Sequence, residues 1–249
     1  MIFSGKVAVV TGGTRGIGRA VSLMYLREGA RVFALYARSK EGVEELTAQA
    51  AGLPGELQCL RGDLTQGEML ENVSQQILSA TDSIHFLVHC AASGVHKPAL
   101  ELSGRNLRWT FEINVFAFHD LLLKLKSRMV PGGRILGLTS QGATRSLEDY
   151  ASVGASKGAL DALFRHYAVE FAKLGISVNL ICPGLVQTEA LKAFKSREER
   201  IQKAEQTTPS GRLASVEDVA QVARFLSSPE SAQIVGQTFV VDGGRSLLA

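Results

Sequence analysis

The sequence predicts an α/β fold: a doubly wound parallel sheet of seven strands in a single domain spanning 1–249. Three observations carry this. Seven short β-branched or aliphatic runs alternate with segments of helix length, the pattern of βαβ units with helices on both sheet faces. A Gly-rich turn lies between the first run and the first helix. No Pro/Gly/Ser-rich linker or internal repeat divides the chain.

The strand-like runs are Lys6–Thr11, Arg31–Tyr36, Leu57–Arg61, Ile84–Cys90, Gly133–Ser140, Ile176–Ile181 and Gln237–Val241. Each is short, apolar and bounded by turn residues, as strands buried on both faces are. Helical periodicity fills Gly16–Glu28, Gln66–Ala80, Leu102–Met129 and Ala151–Lys173. At 45% apolar residues and only 6 Pro, the chain is neither disordered nor collagen-like. The balance of 27 basic against 24 acidic residues is too even to argue for nucleic acid. Cys59, Cys90 and Cys182 form no C-x-x-C pair, and no metal-ligand spacing occurs, so reduced thiols and no metal are expected. No apolar run reaches the ~18 residues of a membrane span. The start, Met1-Ile2-Phe3-Ser4-Gly5-Lys6, lacks the pattern of a secretory signal, which leads us to expect a cytoplasmic protein.

The Gly-rich turn reads Thr11-Gly12-Gly13-Thr14-Arg15-Gly16-Ile17-Gly18. Glycines in this strand–turn–helix setting let backbone approach a pyrophosphate, and the helix N-terminus offers N–H groups and a positive dipole end. A dinucleotide is therefore expected. An NAD site usually ends its second strand with an acid for the ribose 2′-hydroxyl. Here Arg38 stands in that place and Arg15 lies in the loop. Two guanidinium groups suit a 2′-phosphate, which favours NADPH. Asp63, after the third strand, is a candidate acceptor for the adenine amino group.

The spacing Thr-Gly-x-x-x-Gly-x-Gly resembles the short-chain dehydrogenase/reductase family, which has a Rossmann fold, and the resemblance runs over essentially the whole chain. His89-Cys90-Ala91-Ala92 sits at that family's Asn-Asn-Ala-Gly, and Asp242-Gly243-Gly244 at its C-terminal signature. Asn114, Ser140 and Lys157 match its catalytic Asn, Ser and Lys, while Pro183-Gly184 and Thr188 match the segment that holds the nicotinamide carboxamide. The resemblance implies cofactor contacts from Gly12, Thr14, Arg15, Gly16, Ile17 and Gly18, from Arg38 and Ser39, and from Asp63 and Leu64. Cys90, Ala91, Ala92, Lys157, Pro183, Gly184, Val186 and Thr188 complete the set.

One departure decides the chemistry. The family's usual catalytic Tyr lies four residues before the Lys, where this chain has Val153. Tyr150 lies seven before. On a helix these positions turn by about 40° and about −20° from the Lys, so both share its face, displaced by about 4.5 Å along the axis. A ketoreductase protonates the oxygen on the carbon that receives hydride. An enoyl reductase delivers hydride to the β-carbon, so charge develops on a more distant thioester oxygen and its donor must stand further away. Tyr-x6-Lys resembles enoyl-acyl-carrier-protein reductases, closest to the NADPH-dependent type with an ordinary glycine loop. That implies Tyr150 at the thioester oxygen and Lys157 on the nicotinamide ribose, its charge lowering the phenol pKa. Asn114 would anchor a water near Lys157, and Ser140 would line the site. The rival readings are a 3-oxoacyl-acyl-carrier-protein or other carbonyl reductase, and a non-catalytic NADPH-binding subunit.

Of five histidines, only His89 falls near a cofactor-lining stretch, and it reads as packed or solvated. Trp109 reads as core or interface packing. The stretch Leu191–Lys203 carries Lys192, Lys195, Arg197, Arg200 and Lys203. The family resemblance places it over the substrate mouth, where these cations would steer an acidic acyl carrier protein. The helical stretches Leu102–Met129 and Ala151–Lys173 resemble those that build homotetramers in the family.

Overall fold

A computed structural model describes residues 1–188 and 197–248. The seven strands are β1 (Val7–Thr11), β2 (Arg31–Tyr36), β3 (Glu56–Arg61), β4 (Ile84–His89), β5 (Met129–Leu138), β6 (Ser177–Pro183) and β7 (Thr238–Val241). They form one sheet in the order β3-β2-β1-β4-β5-β6-β7. Every neighbouring pair is parallel. All seven expected runs are strands. β6 reaches Pro183 because Cys182 and Pro183 pair with Val240 and Val241.

Successive side chains of a strand point to opposite faces, and β1 shows what this does to the core. Ala8 and Val10 pack with Val21, Met24 and Tyr25 of α1 (Gly16–Arg27) and with Val219 and Leu226 of α8 (Val216–Ser227). Val7 and Val9 face the other side. There they join Val73 and Ile77 of α3 (Gly67–Ala80) and Leu160 and Phe164 of α6 (Ala151–Ala172). Two apolar layers of this kind explain why β1 is buried at all five positions. The remaining helices are α2 (Lys40–Ala50), α4 (Gly104–Phe111), α5 (Ala117–Leu125) and α7 (Arg197–Thr207).

The stretch expected as one helix over Leu102–Met129 is broken. Between α4 and α5 runs a π turn, Glu112–Phe116, with Asn114 inside it. A short 3₁₀ turn follows α5, and Met129 already belongs to β5. Nothing in Glu-Ile-Asn-Val-Phe breaks a helix by propensity, so tertiary contacts impose the widened turn. Trp109, Phe116 and Leu123 on this stretch are exposed, which removes Trp109 from the core. Among the described residues, no helix is long and apolar enough to cross a membrane.

The chain winds outward from β1 to β3, then crosses back to place β4 on the other side of β1. That reversal leaves a crevice at the carboxyl ends of β1 and β4, where doubly wound sheets bind ligands.

Candidate active site

The crevice floor is glycine by necessity. Gly12 has φ +63°, and a Cβ there would lie 3.0 Å from the backbone of Ala91. A Cβ on Gly18 would stand 2.1 Å from the Gly12 carbonyl oxygen. Only hydrogen fits at either position, so loop and helix are pressed together and the start of α1 opens onto the crevice. Arg15 caps α1 without a side-chain hydrogen bond, and its first turn carries no acid. The first N–H groups are therefore met by no capping side chain, the condition in which a helix start receives phosphate. The donor set fits the pyrophosphate of a dinucleotide.

Around this loop the expected cofactor residues gather, with differing freedom. Thr14 is buried against the start of α2, and Ser39 caps that helix by accepting from the Gly42 N–H at 3.0 Å. Arg15 is exposed. The Arg38 side chain is 87% exposed, its Nη2 3.9 Å from Asp63 Oδ2. Asp63 Oδ1 accepts from the Thr65 N–H and hydroxyl. Ile17 and Leu64, partly buried, and Val186, buried, pack their side chains against the core. Thr188 reaches back from beyond β6, its Cγ2 3.5 Å from where a Gly16 Cβ would be. Gly184 donates its N–H to the Val241 carbonyl at 2.9 Å, which fixes the Pro183–Gly184 turn on the end of β7.

Behind the crevice a hydrogen-bond chain links β1 to α6. Thr11 Oγ1 accepts from the Ala91 N–H at 3.1 Å and lies 2.9 Å from His89 Nδ1. The Asn114 carbonyl, 3.1 Å from Nε2, can only accept, so the neutral ring carries its hydrogen on Nε2 and Nδ1 accepts from the Thr11 hydroxyl. Burial first, then the Lys157 charge, push this imidazole down to about 3, so it is neutral. The Asn114 side chain accepts from the Ser93 N–H and donates to Ser156 Oγ, both at 2.9 Å. His89 is packed, as expected, and it also holds the π turn. The Asn114 carbonyl thus has the His89 ring as one partner.

Lys157 is buried and donates to the Leu138 carbonyl at 2.7 Å. Burial lowers its ammonium to about 8, against the opposing effects of Cys90 and Asp161. Tyr150 does not occupy a helical position. Asp149, at φ +56°, turns the chain left-handed, and Tyr150 follows as the cap of α6 with φ −115°. The helical distance to Lys157 is thus only indicative, because the ring enters from the residue just before the helix. Its edge lies against Gly142, where a Cβ would be 2.4 Å from Tyr150 Cδ1 and 2.6 Å from Cε1. The His96 ring stands 5.7 Å away. Burial raises the phenol pKa, and a hydrogen bond with the Ser140 side chain draws it partly back. That lowering was expected from Lys157; it comes from Ser140. The structure thus brings Ser140 and Tyr150 together, and sets Lys157 and Asn114 one layer behind.

Val153 has no such access. It is buried, and its Cγ2 lies 2.2 Å from where a Gly94 Cβ would be, with Thr110 alongside. Cys59, Cys90 and Cys182 are free. Burial raises the Cys90 thiol to about 12 and that of Cys182 to about 11, so neither is a thiolate near neutrality. Two residues at the site had no assigned role. Gln141 carried no motif signal, and Asp242 stood only inside a signature. Gln141 Nε2 donates to Asp242 Oδ2 at 2.7 Å. Lys192 and Lys195 lie outside the described residues, as do the side chains of Arg197 and Arg200.

This crevice, glycine cradle and Ser-Tyr-Lys cluster define a nicotinamide-dependent oxidoreductase. A family model described as Enoyl-(Acyl carrier protein) reductase matches residues 12–246. The chain is 29% identical over 246 residues to 1-cyclohexenylcarbonyl-CoA reductase of Streptomyces collinus, covering 98% of this chain and 88% of that one. It is 31% identical over 253 residues to a 3-oxoacyl-[acyl-carrier-protein] reductase of Thermotoga maritima, covering 98% and 99%. A short-chain dehydrogenase/reductase of Serratia marcescens superposes with TM-score 0.91 at 28% identity, over 99% of this chain and 100% of that one. The chain belongs to the short-chain dehydrogenase/reductase family.

Proposed function

We propose that the protein is an NADPH-dependent enoyl reductase acting on trans-2-enoyl thioesters of acyl carrier protein, in fatty acid or related polyketide synthesis. The observation that carries this reading is the exchange at α6. Val153 is packed against Gly94, whereas Tyr150 enters the site from the preceding loop. The name of the Streptomyces relative, a reductase of a ring alkenoyl thioester, supports the same substrate class.

When bound, the reduced nicotinamide supplies hydride. The chain's own residues do the rest. Tyr150 donates its phenol hydrogen to the thioester oxygen as negative charge develops there, and its raised pKa keeps that hydrogen in place through neutral pH. Ser140 orients the phenol. Lys157 holds the ribose hydroxyls. Asn114 fixes the loop after β4 to α6 through Ser93 and Ser156.

The second reading is a 3-oxoacyl or other carbonyl reductase. The Ser140–Tyr150 hydrogen bond favours it, since such a pair also polarises a ketone, and so does the Thermotoga relative. NADPH oxidation with crotonyl and acetoacetyl thioesters, measured side by side, separates the two. We expect the crotonyl rate to dominate on carrier protein, and a faster acetoacetyl rate overturns the enoyl assignment.

NADPH preference rests on Arg15 and Arg38, exposed at the rim where a 2′-phosphate would meet them. Arg38→Asp replaces attraction by repulsion, and NADPH affinity should fall by about tenfold or more, while NADH affinity holds. Equal losses for both cofactors in a fluorescence titration would count against the 2′-phosphate contact. A homotetramer, built on the exposed Trp109, Phe116, Leu123 and Val169, and a cytoplasmic location belong to the same proposal.

A further inference from the structure

We infer that Gln141 and Asp242 form a latch through which the C-terminal turn positions Tyr150. The inference rests on the role proposed for that phenol, but the geometry is independent of substrate. Asp242 is 7% exposed, and both its oxygens are engaged. Oδ1 accepts from the Gly244 N–H at 2.9 Å, and Oδ2 from the Ser246 N–H and Gln141 Nε2, each at 2.7 Å. A second tie lies alongside, where the Arg145 guanidinium donates to the Ser246 carbonyl. Residues 242–246 are thus closed into a turn by one carboxylate and fastened at two points to the segment after β5.

That segment is the seat of the Tyr150 ring. Ser140 Oγ accepts from the Gly142 N–H at 3.2 Å and starts a single 3₁₀ turn over Gln141–Ala143. The Cδ1–Cε1 edge of the ring lies against Gly142, too close for any side chain there. The Gly142 carbonyl in turn presses on α6, 2.5 Å from where a Gly154 Cβ would begin. A shift of the turn must therefore move the ring. Asp242 also abuts Gly184, whose Cβ would lie 2.7 Å from its own. One carboxylate thereby sets the distance between the Pro183–Gly184 turn and the platform under Tyr150. Burial alone would raise Asp242, but the Ser246 and Gly244 hydrogen bonds and the Arg145 charge overcome it and hold the carboxyl below its ordinary range. The latch stays charged through neutral pH. Gln141 and Asp242 are positioning residues, since the contacts above link them to Tyr150 only through the turn.

The test is Gln141→Leu, read first without substrate. The Tyr150 phenol, isolated as the ultraviolet difference between each protein and its Tyr150→Phe counterpart, faces Ser140, Cys182 and the His96 ring. Releasing its seat should move its titration down toward the ordinary phenol value. Turnover of crotonyl thioester should fall on the order of ten- to a hundredfold with NADPH affinity unchanged. In the Tyr150→Phe background the same substitution should add nothing, because both act through one group. Gln141→Glu faces Asp242 with a second carboxylate, and its activity relative to wild type should rise on acidification as the pair shares a proton. An unmoved phenol titration, or an additive loss in the Tyr150→Phe background, overturns the latch. A near wild-type rate for Tyr150→Phe overturns the proposed role of the phenol instead, and leaves the titration to judge the latch.

Discussion

Tyr150→Phe should reduce crotonyl thioester ~10²–10³-fold more slowly than wild type, the usual loss for one oxyanion donor. The ring remains on Gly142, so the fold loses only the hydrogen bond with Ser140, about 1 kcal/mol. NADPH affinity should hold, because the glycine cradle and Lys157 are untouched. Restoring the family's ordinary spacing with Val153→Tyr should not rescue it. Val153 already fills the space over Gly94, and a larger ring there costs about 1–3 kcal/mol of overpacking. Such a ring would also stand beside the reacting carbon, away from the distant oxygen. Single-turnover rates with crotonyl thioester for Tyr150→Phe and the double variant give the answer. A near wild-type rate for Tyr150→Phe would reduce Tyr150 to a packing residue.

The family alone does not decide this chemistry. Relatives that match 98% of this chain carry names that describe different substrates. Function on such a scaffold lives in the few side chains that differ. Here the difference is where a phenol enters: from within α6, or from the loop that leads into it.

Strands and the phosphate loop were legible because their signals are local. Apolar runs bounded by turn residues mark β1 to β7 within a few residues, and Gly12 and Gly18 stand where backbone meets backbone. The site was legible only where a motif carried it. The π turn was not, because Glu112–Phe116 has helical composition and its widening coincides with a tertiary tie from His89 to the Asn114 carbonyl. That Tyr150 lies just before the helix start was legible, but the left-handed Asp149 that turns it in leaves little trace in sequence. Gln141 and Asp242 are 101 residues apart, and no periodicity links them. Val153 is the opposite case: an absent hydroxyl is visible in sequence, although its packing is not.

Lys157 provides the second large effect, and its sign can be worked out. Burial holds its ammonium near 8 against an unfolded value of 10.5. Between these values the unfolded chain binds the proton that the folded chain has released. Stability from this group therefore rises with pH across that window, by on the order of 3 kcal/mol. Below pH 8 the folded protein carries the full penalty of a buried charge. Lys157→Met removes the charge along with its hydrogen bond to Leu138, so the variant should gain on wild type near pH 7 and lose ground by pH 10. Urea unfolding of both proteins at several pH values isolates the term, since every other titrating group is shared. Function should run the other way. Without the ammonium, turnover should drop by ~10²–10³-fold or more, and NADPH affinity should fall with it. In wild type that affinity should decline as pH climbs through 8, while in Lys157→Met it should lack that decline. Parallel slopes for the two proteins, in stability and in cofactor binding alike, would show that the ammonium behind Leu138 is not the group that titrates.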